Sequence, residues 1–234
     1  MDDPSKRNPK IKSVTSLEST DLGRAHSNEM IPPNHIPKFS GAVLAGGRSR
    51  RMGRDKALLS VAGEPLLVRQ TRLLVEAGAA EVLISQSSDR PGRNWPHLPH
   101  THTQTRTVWD LPGDLGPLAG LGAVLQAAQS DRVLVVAVDL PSLSVVFLQE
   151  LVSASSSTAG VVCRTHHGWE PFLTVYPSFA LTAIKSAIAR HELACQSLIQ
   201  QGIAEGWLVE FRPKGGSLIP FTNWNYPEDL PERP

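Results

Sequence analysis

Gly41-Ala-Val-Leu44-Ala-Gly46-Gly47-Arg-Ser49-Arg-Arg51-Met-Gly-Arg-Asp-Lys56 is an apolar run that ends in paired glycines and opens into cations. That is the form of a buried strand delivering its chain to an anion-binding loop. Gly46 and Gly47 allow close approach of the backbone to a ligand and a positive φ. Arg48, Arg50, Arg51, Arg54 and Lys56 crowd five cations into a few residues. A triphosphate carries about four negative charges near neutral pH, which such a cluster answers. The rival phosphate motifs fail. A Walker A loop needs Gly-Lys-Ser/Thr, whereas Gly53 is followed by Arg54 and Asp55. The G-x-G-x-x-G dinucleotide fingerprint is absent as well. An exposed basic turn would share this composition, but it would have no reason to begin with paired glycines at a strand end.

Working outward from the loop, strand and helix patterns alternate. Pro65 to Gly78 reads as a helix, with Leu66, Leu67, Leu73, Leu74 and Ala77 on one face and Gly78 as its stop. Strands are expected at Gly41–Leu44, Glu81–Ile84, Arg132–Val138, Ala159–Cys163, Phe172–Tyr176 and Leu208–Phe211. Helices are expected at Pro117–Gln129, Val145–Ala154, Ser178–Arg190 and Cys195–Gln201, with a polar loop over 87–105. The run Arg132-Val-Leu-Val-Val-Ala-Val138 is continuously apolar, as in a strand covered on both faces. Such alternation specifies an α/β three-layer sandwich with a mostly parallel sheet. Ligands of such sheets sit beyond the carboxyl ends of the strands at a topological switch point, so the glycine loop should lie there.

Residues 1–38 are polar, charged and rich in proline, without an apolar period. They are expected to be a disordered leader, with Met30 as an alternative start, ahead of a single domain over 39–234. The chain has 234 residues, 41% of them apolar, enough for one substantial core. Lys and Arg total 23 against 22 Asp and Glu, a balance that offers no global field for nucleic acid. Cys163 and Cys195 have no spacing that favours a disulfide, which suits a reducing compartment. No apolar run approaches the ~20 residues of a membrane span. The N-terminus lacks the apolar stretch of a secretory signal. The expectation is a soluble cytoplasmic protein.

Asp139 leaves the most apolar strand in Val138-Asp139-Leu-Pro141, where a carboxylate at the sheet's carboxyl edge can hold a metal; capping the next helix is the competing use. His97, His100 and His102 have no carboxylate or cysteine at a ligand spacing and are not read as a metal site.

The segment Leu44 to Lys56 resembles the L-A-G-G-x-S-x-R-M-G-x-D-K signature of the molybdenum cofactor guanylyltransferases at every fixed position. Asp110 ahead of Gly116-Pro-Leu-Ala-Gly120, the Asp139 segment, and Asn223-Trp-Asn225-Tyr-Pro-Glu-Asp-Leu230 resemble further family motifs in the same order. Tyr226 and Trp224 depart from the usual residues of the last one. The resemblance implies a fold like that of nucleotide-diphospho-sugar transferases, which is Rossmann-like. It implies nucleotide contacts from Leu44, Ala45, Gly46, Gly47, Ser49, Lys56, Asp110 and Asp139, with Asp114 as a substitute for Asp110. It assigns catalysis to Arg51 and Lys56, and Mg²⁺ to Asp139 with Asn225. Glu170, in a segment similar to one that lines the family's pterin side, would face the second substrate. The implied reaction transfers GMP from GTP to the phosphate of molybdopterin and releases pyrophosphate. Acceptor molybdoenzymes or other cofactor-biosynthesis proteins are the implied partners, with no nucleic acid and no membrane. The double glycine points to guanine. Transfer from CTP or onto a sugar phosphate is the runner-up, and a non-catalytic adaptor is opposed by the intact loop, Lys56 and Asp139.

Overall fold

The computed structural model describes residues 36–46, 55–87, 95, 98, 102–165 and 168–212. Its strands are β1 (Ser40–Leu44), β2 (Ser60–Val61), β3 (Glu64–Pro65), β4 (Glu81–Gln86), β5 (Gln104–Trp109), β6 (Arg132–Ala137), β7 (Gly160–Thr165), β8 (Gly168–Pro177) and β9 (Leu208–Glu210). Its helices are α1 (Leu66–Glu76), α2 (Pro117–Ala127), α3 (Val145–Ala154), α4 (Ala180–Ala189) and α5 (Cys195–Ala204). A 3-10 turn covers Lys56–Leu58.

Seven strands form one sheet in the order β5-β4-β1-β6-β8-β7-β9, and β2 with β3 makes a separate two-stranded hairpin. β1 pairs in parallel with β4 and with β6, and β4 pairs in parallel with β5. Only β8 runs against its neighbours. From β1 the chain adds β4 and β5 on one side, then returns to place β6 on the other. The carboxyl end of β1 is therefore the topological switch point.

The buried strands send alternate residues to opposite faces. Val43, Ile84, Leu134 and Val136 join the core under α1 and α3. Ala42, Leu83, Val133 and Val135 join the core under α2, α4 and α5. These two cores make the three layers expected from the sequence. Leu66, Leu67, Leu73, Leu74 and Ala77 are all buried, and Gly78 ends α1 with a φ of +98°. α3 falls over the expected residues, capped by Ser144.

Three expectations need correction. Residues 104 and 105 belong to β5, not to a loop. β5 is an edge strand with half-exposed faces, so it carries polar residues where a central strand would be apolar; its Thr, Val and Trp content was the available signal. Pro65 precedes α1 and pairs in β3, and the helix begins at Leu66. β8 starts at Gly168, four residues before the expected start. Of the leader expected at 1–38, residues 1–35 lie outside the described residues; Ile36 packs against the α1/α3 core. No helix among the described residues is long and apolar enough to cross a membrane.

At the sheet's amino edge, buried Glu81 joins three strands and a loop. It accepts from Ser40 Oγ (2.8 Å), from Gln129 N–H (2.7 Å) and from Arg106 Nη2 (3.0 Å), and Arg106 also donates to Ala127 O. Burial by itself would raise this carboxyl, but the Gln129 N–H, the Ser40 hydroxyl and Arg106 together hold it below its ordinary value. Because the folded value is depressed, the unfolded chain binds the proton first as pH falls. The network's stabilisation is full above the ordinary carboxylate value and is lost as pH drops through the depressed one. Glu81→Gln should cost about 2 kcal/mol near neutral pH. That deficit should shrink below about pH 4, as urea denaturation across the pH range will measure.

Candidate active site

Four neighbouring parallel strands end at the same edge of the sheet. β1 runs into Ala45 and Gly46, β4 ends in Ser85 and Gln86, β5 delivers Asp110, and β6 delivers Val138 and Asp139. The ends are stitched together beyond the ladder. Ala45 N–H donates to Ser85 O (3.3 Å), Val138 N–H to Leu44 O (3.4 Å) and Asp110 N–H to Gln86 O (2.9 Å). These bonds fix the backbones from which the side chains project.

Lys56 Nζ lies 2.6 Å from Asp139 Oδ2, with each side chain 17% exposed. The two residues are 83 positions apart in sequence. Lys56 is held in its 3-10 turn by the Asp55 carboxylate, whose Oδ1 accepts from Ala57 N–H (3.2 Å). The turn is tied to α1 through Leu66 N–H to Leu59 O (2.7 Å). The competing use for Asp139 does not hold, because the side chain that caps α3 is Ser144, whose Oγ accepts from Phe147 N–H (3.3 Å). Asp139 Oδ1 has no hydrogen-bond partner among the described residues, so one carboxylate oxygen remains available.

Asp110 occupies a slot between two glycines. A Cβ on Gly46 would fall 2.5 Å from Asp110 Oδ2, and one on Gly120 would fall 2.6 Å from Ser85 Oγ and 3.2 Å from Asp110 Oδ1. Ser85 Oγ donates to Asp110 Oδ1 (2.7 Å). Leu111 N–H donates to Ala119 O (3.1 Å), which fixes the next residue against the start of α2. Gly46 is not one of the left-handed glycines, which corrects the expectation of a positive φ there; what it supplies is room for a carboxylate. Asp114, the substitute for Asp110, is exposed on the loop before α2.

A family model, the MobA-like NTP transferase domain, matches residues 41–205. The chain belongs to this family. It is a nucleotidyltransferase. It is 35% identical over 203 residues, 82% of its own length and 92% of the relative's, to a probable molybdenum cofactor guanylyltransferase of Opitutus terrae. It is 34% identical over 194 residues, 82% and 89% of the two lengths, to one of Pelotomaculum thermopropionicum. The fold is similar to that of molybdopterin-guanine dinucleotide biosynthesis protein A from Archaeoglobus fulgidus, with a TM-score of 0.56, 20% identity, and coverage of 81% and 94%.

In this nucleotidyltransferase the fold brings Leu44, Ala45, Gly46, Lys56, Asp110 and Asp139 to one edge. Gly47, Ser49, Arg51 and Asn225 lie outside the described residues. Glu170 stands in β8, where its Oε1 accepts from Thr165 Oγ1 (3.1 Å). Beside it the Arg164 guanidinium sits 4.9 Å over the Trp169 ring, and Gln196 Nε2 donates to Trp169 O (2.8 Å). Cys163 is buried in the core, and burial pushes the half-buried Cys195 thiol up to about 12. Neither is an activated nucleophile.

Sequence reasoning left out Ser85, Gln70 and Arg69. The contact of Ser85 to Asp110 needs the β4/β5 register, which no local pattern discloses. Gln70 Nε2 donates to Leu140 O (2.6 Å), and Arg69 donates to Pro141 O (3.0 Å) and to Leu143 O (3.3 Å). Gly46→Ala should destabilise by about 1–3 kcal/mol through overpacking against Asp110. In an Asp110→Ala background that cost should fall below about 0.5 kcal/mol, a non-additivity that urea denaturation of the four proteins will reveal.

Proposed function

We propose that the protein transfers GMP from GTP to the terminal phosphate of molybdopterin or molybdenum cofactor, releasing pyrophosphate and forming the guanine dinucleotide cofactor. The observation that carries this reading is the meeting of Lys56 and Asp139 at 2.6 Å on the switch-point edge of a MobA-like NTP transferase. The guanylyl specificity is supported by the names of the Opitutus and Pelotomaculum relatives. We place the enzyme in the cytoplasm, where both substrates and the acceptor molybdoenzymes would be met.

In this reading the nucleotide lies across the carboxyl ends of β1, β4 and β5, with its base toward Asp110. Asp110 accepts from guanine N–H groups or ribose hydroxyls through the oxygen that faces Gly46. Main-chain groups of Leu44 to Gly47 and the Ser49 hydroxyl approach the nucleotide, and Arg51 and Lys56 bind the phosphates. The nucleophile is a phosphate oxygen that is already anionic, so no general base is needed. It attacks the α-phosphorus in line, and the bond to the pyrophosphate oxygen breaks. Catalysis rests on alignment of the two substrates and on cationic stabilisation of the equatorial oxygens and the departing pyrophosphate.

The donor set fits Mg²⁺. The available Asp139 oxygen is a hard anionic ligand, and Mg²⁺ is commonly held by one or two carboxylates together with substrate phosphates. In this reading the nucleotide and Asn225 complete the ligand set. The ion would neutralise charge on the phosphates and polarise the α-phosphoryl group. The Lys56 ammonium would bind a phosphate oxygen of the nucleotide.

The test is pyrophosphate release with molybdopterin as acceptor, with GTP and CTP compared. The reading expects turnover with GTP and at least about a tenfold lower kcat/KM with CTP. Asp139→Asn should lower kcat by about a hundredfold at limiting Mg²⁺ and leave the fold intact. A preference for CTP would reassign the nucleotide. Asp139→Asn activity within about threefold of the unaltered enzyme would remove Asp139 from the metal site.

A further inference from the structure

We infer that Gln70 is a positioning residue that sets where Asp139 stands relative to Lys56, and that Arg69 assists it from the next position on α1. The inference rests on the metal role proposed for Asp139. Asp139 is suspended between two fixed peptides. On its amino side, Val138 N–H bonds Leu44 O (3.4 Å), the final tie between the ends of β6 and β1. On its carboxyl side, where the sheet has ended, the Leu140 carbonyl is held by Gln70 Nε2 at 2.6 Å. Arg69 holds the following turn through the carbonyls of Pro141 and Leu143. Leu140 is 3% exposed, and its carbonyl has no place in the sheet ladder, so a side chain must supply its donor.

The same helix fixes the other partner. The N-terminal residue of α1, Leu66, donates its N–H to Leu59 O and anchors the turn that carries Lys56. One turn later Gln70 anchors the peptide that follows Asp139. The first two turns of α1 are thus the common base from which both members of the ion pair project.

Gln70 is an unusual choice at its position. It is 0% exposed and stands on the apolar face of α1, among Leu66, Leu67, Leu73 and Leu74. Its Oε1 is buried with no hydrogen-bond partner among the described residues. A leucine would leave no such orphaned oxygen, so packing alone does not account for the amide. What the amide adds is the donor to Leu140. Groups that orient a metal's ligand typically change metal affinity by 10–100-fold when removed.

The experiment compares the unaltered protein with Gln70→Leu, Asp139→Asn and the double variant. Mn²⁺ binding is followed by electron paramagnetic resonance in the presence of the α,β-methylene analogue of GTP, alongside thermal melting. Gln70→Leu should weaken Mn²⁺ binding about tenfold while its melting temperature stays within a few degrees, because it exchanges one orphaned buried oxygen, Gln70 Oε1, for another, the Leu140 carbonyl. In the Asp139→Asn background, Gln70→Leu should produce no further loss. Should Gln70→Leu fail to fold, Arg69→Met removes the neighbouring ties and should weaken Mn²⁺ binding in the same direction. The inference is overturned if folded Gln70→Leu binds Mn²⁺ within about twofold of the unaltered protein, or if its loss adds in full to that of Asp139→Asn. If Asp139→Asn itself leaves Mn²⁺ binding intact, the metal assignment falls, and this inference falls with it.

Discussion

Lys56 and Asp139 face each other at 2.6 Å at the end of β6, and the rest of the site is arranged around that contact. Neither charge is fully buried, so the pair is not chiefly a source of stability. Its importance is geometric. The pair joins the 3-10 turn at Lys56–Leu58 to the turn after β6, beyond the strand ends where ligands of such sheets bind. Each member also has an alternative partner in the proposed reaction. A divalent cation can satisfy Asp139 and a triphosphate can satisfy Lys56, so the two exchanges would proceed together and the site would not carry an uncompensated charge.

Packing and chemistry are hard to separate around Asp110. Gly46 and Gly120 face its carboxylate because no side chain would fit there, and Ser85 supplies the hydroxyl that fixes its orientation. The paired glycines of the loop thus have two explanations. Gly46 leaves space for a carboxylate delivered by another strand, while the anion-cradle argument made from sequence extends to Gly47. A glycine at a strand end is ambiguous by nature, since the same missing Cβ admits a ligand or a neighbouring side chain.

The layered architecture was legible in the sequence because its carriers obey strong periods. The α1 stripe and the β6 run bury what they were expected to bury, and α3 falls over the expected residues. β5 was missed because an edge strand is free to be polar, and it is the strand that delivers Asp110. Of the candidate site, the fold gathers the residues that belong to strand ends and to the 3-10 turn at Lys56–Leu58. Gln70 could not be read in advance. Its neighbours mark it as part of an apolar face, and its partner is a main-chain carbonyl that leaves no trace in sequence. Contacts to backbone groups are in general invisible to motif reasoning, because every residue offers the same carbonyl.

The central claim is that, with nucleotide bound, Asp139 exchanges Lys56 for a divalent cation and Lys56 exchanges Asp139 for a phosphate. The most direct measurement is the anomalous scattering of Mn²⁺ in crystals grown with the α,β-methylene analogue of GTP. The account predicts a manganese peak on Asp139 and the phosphates, with Lys56 Nζ withdrawn from Asp139 and bonded to a phosphate oxygen. A bound nucleotide with manganese away from Asp139 and the Lys56–Asp139 pair still closed would contradict it.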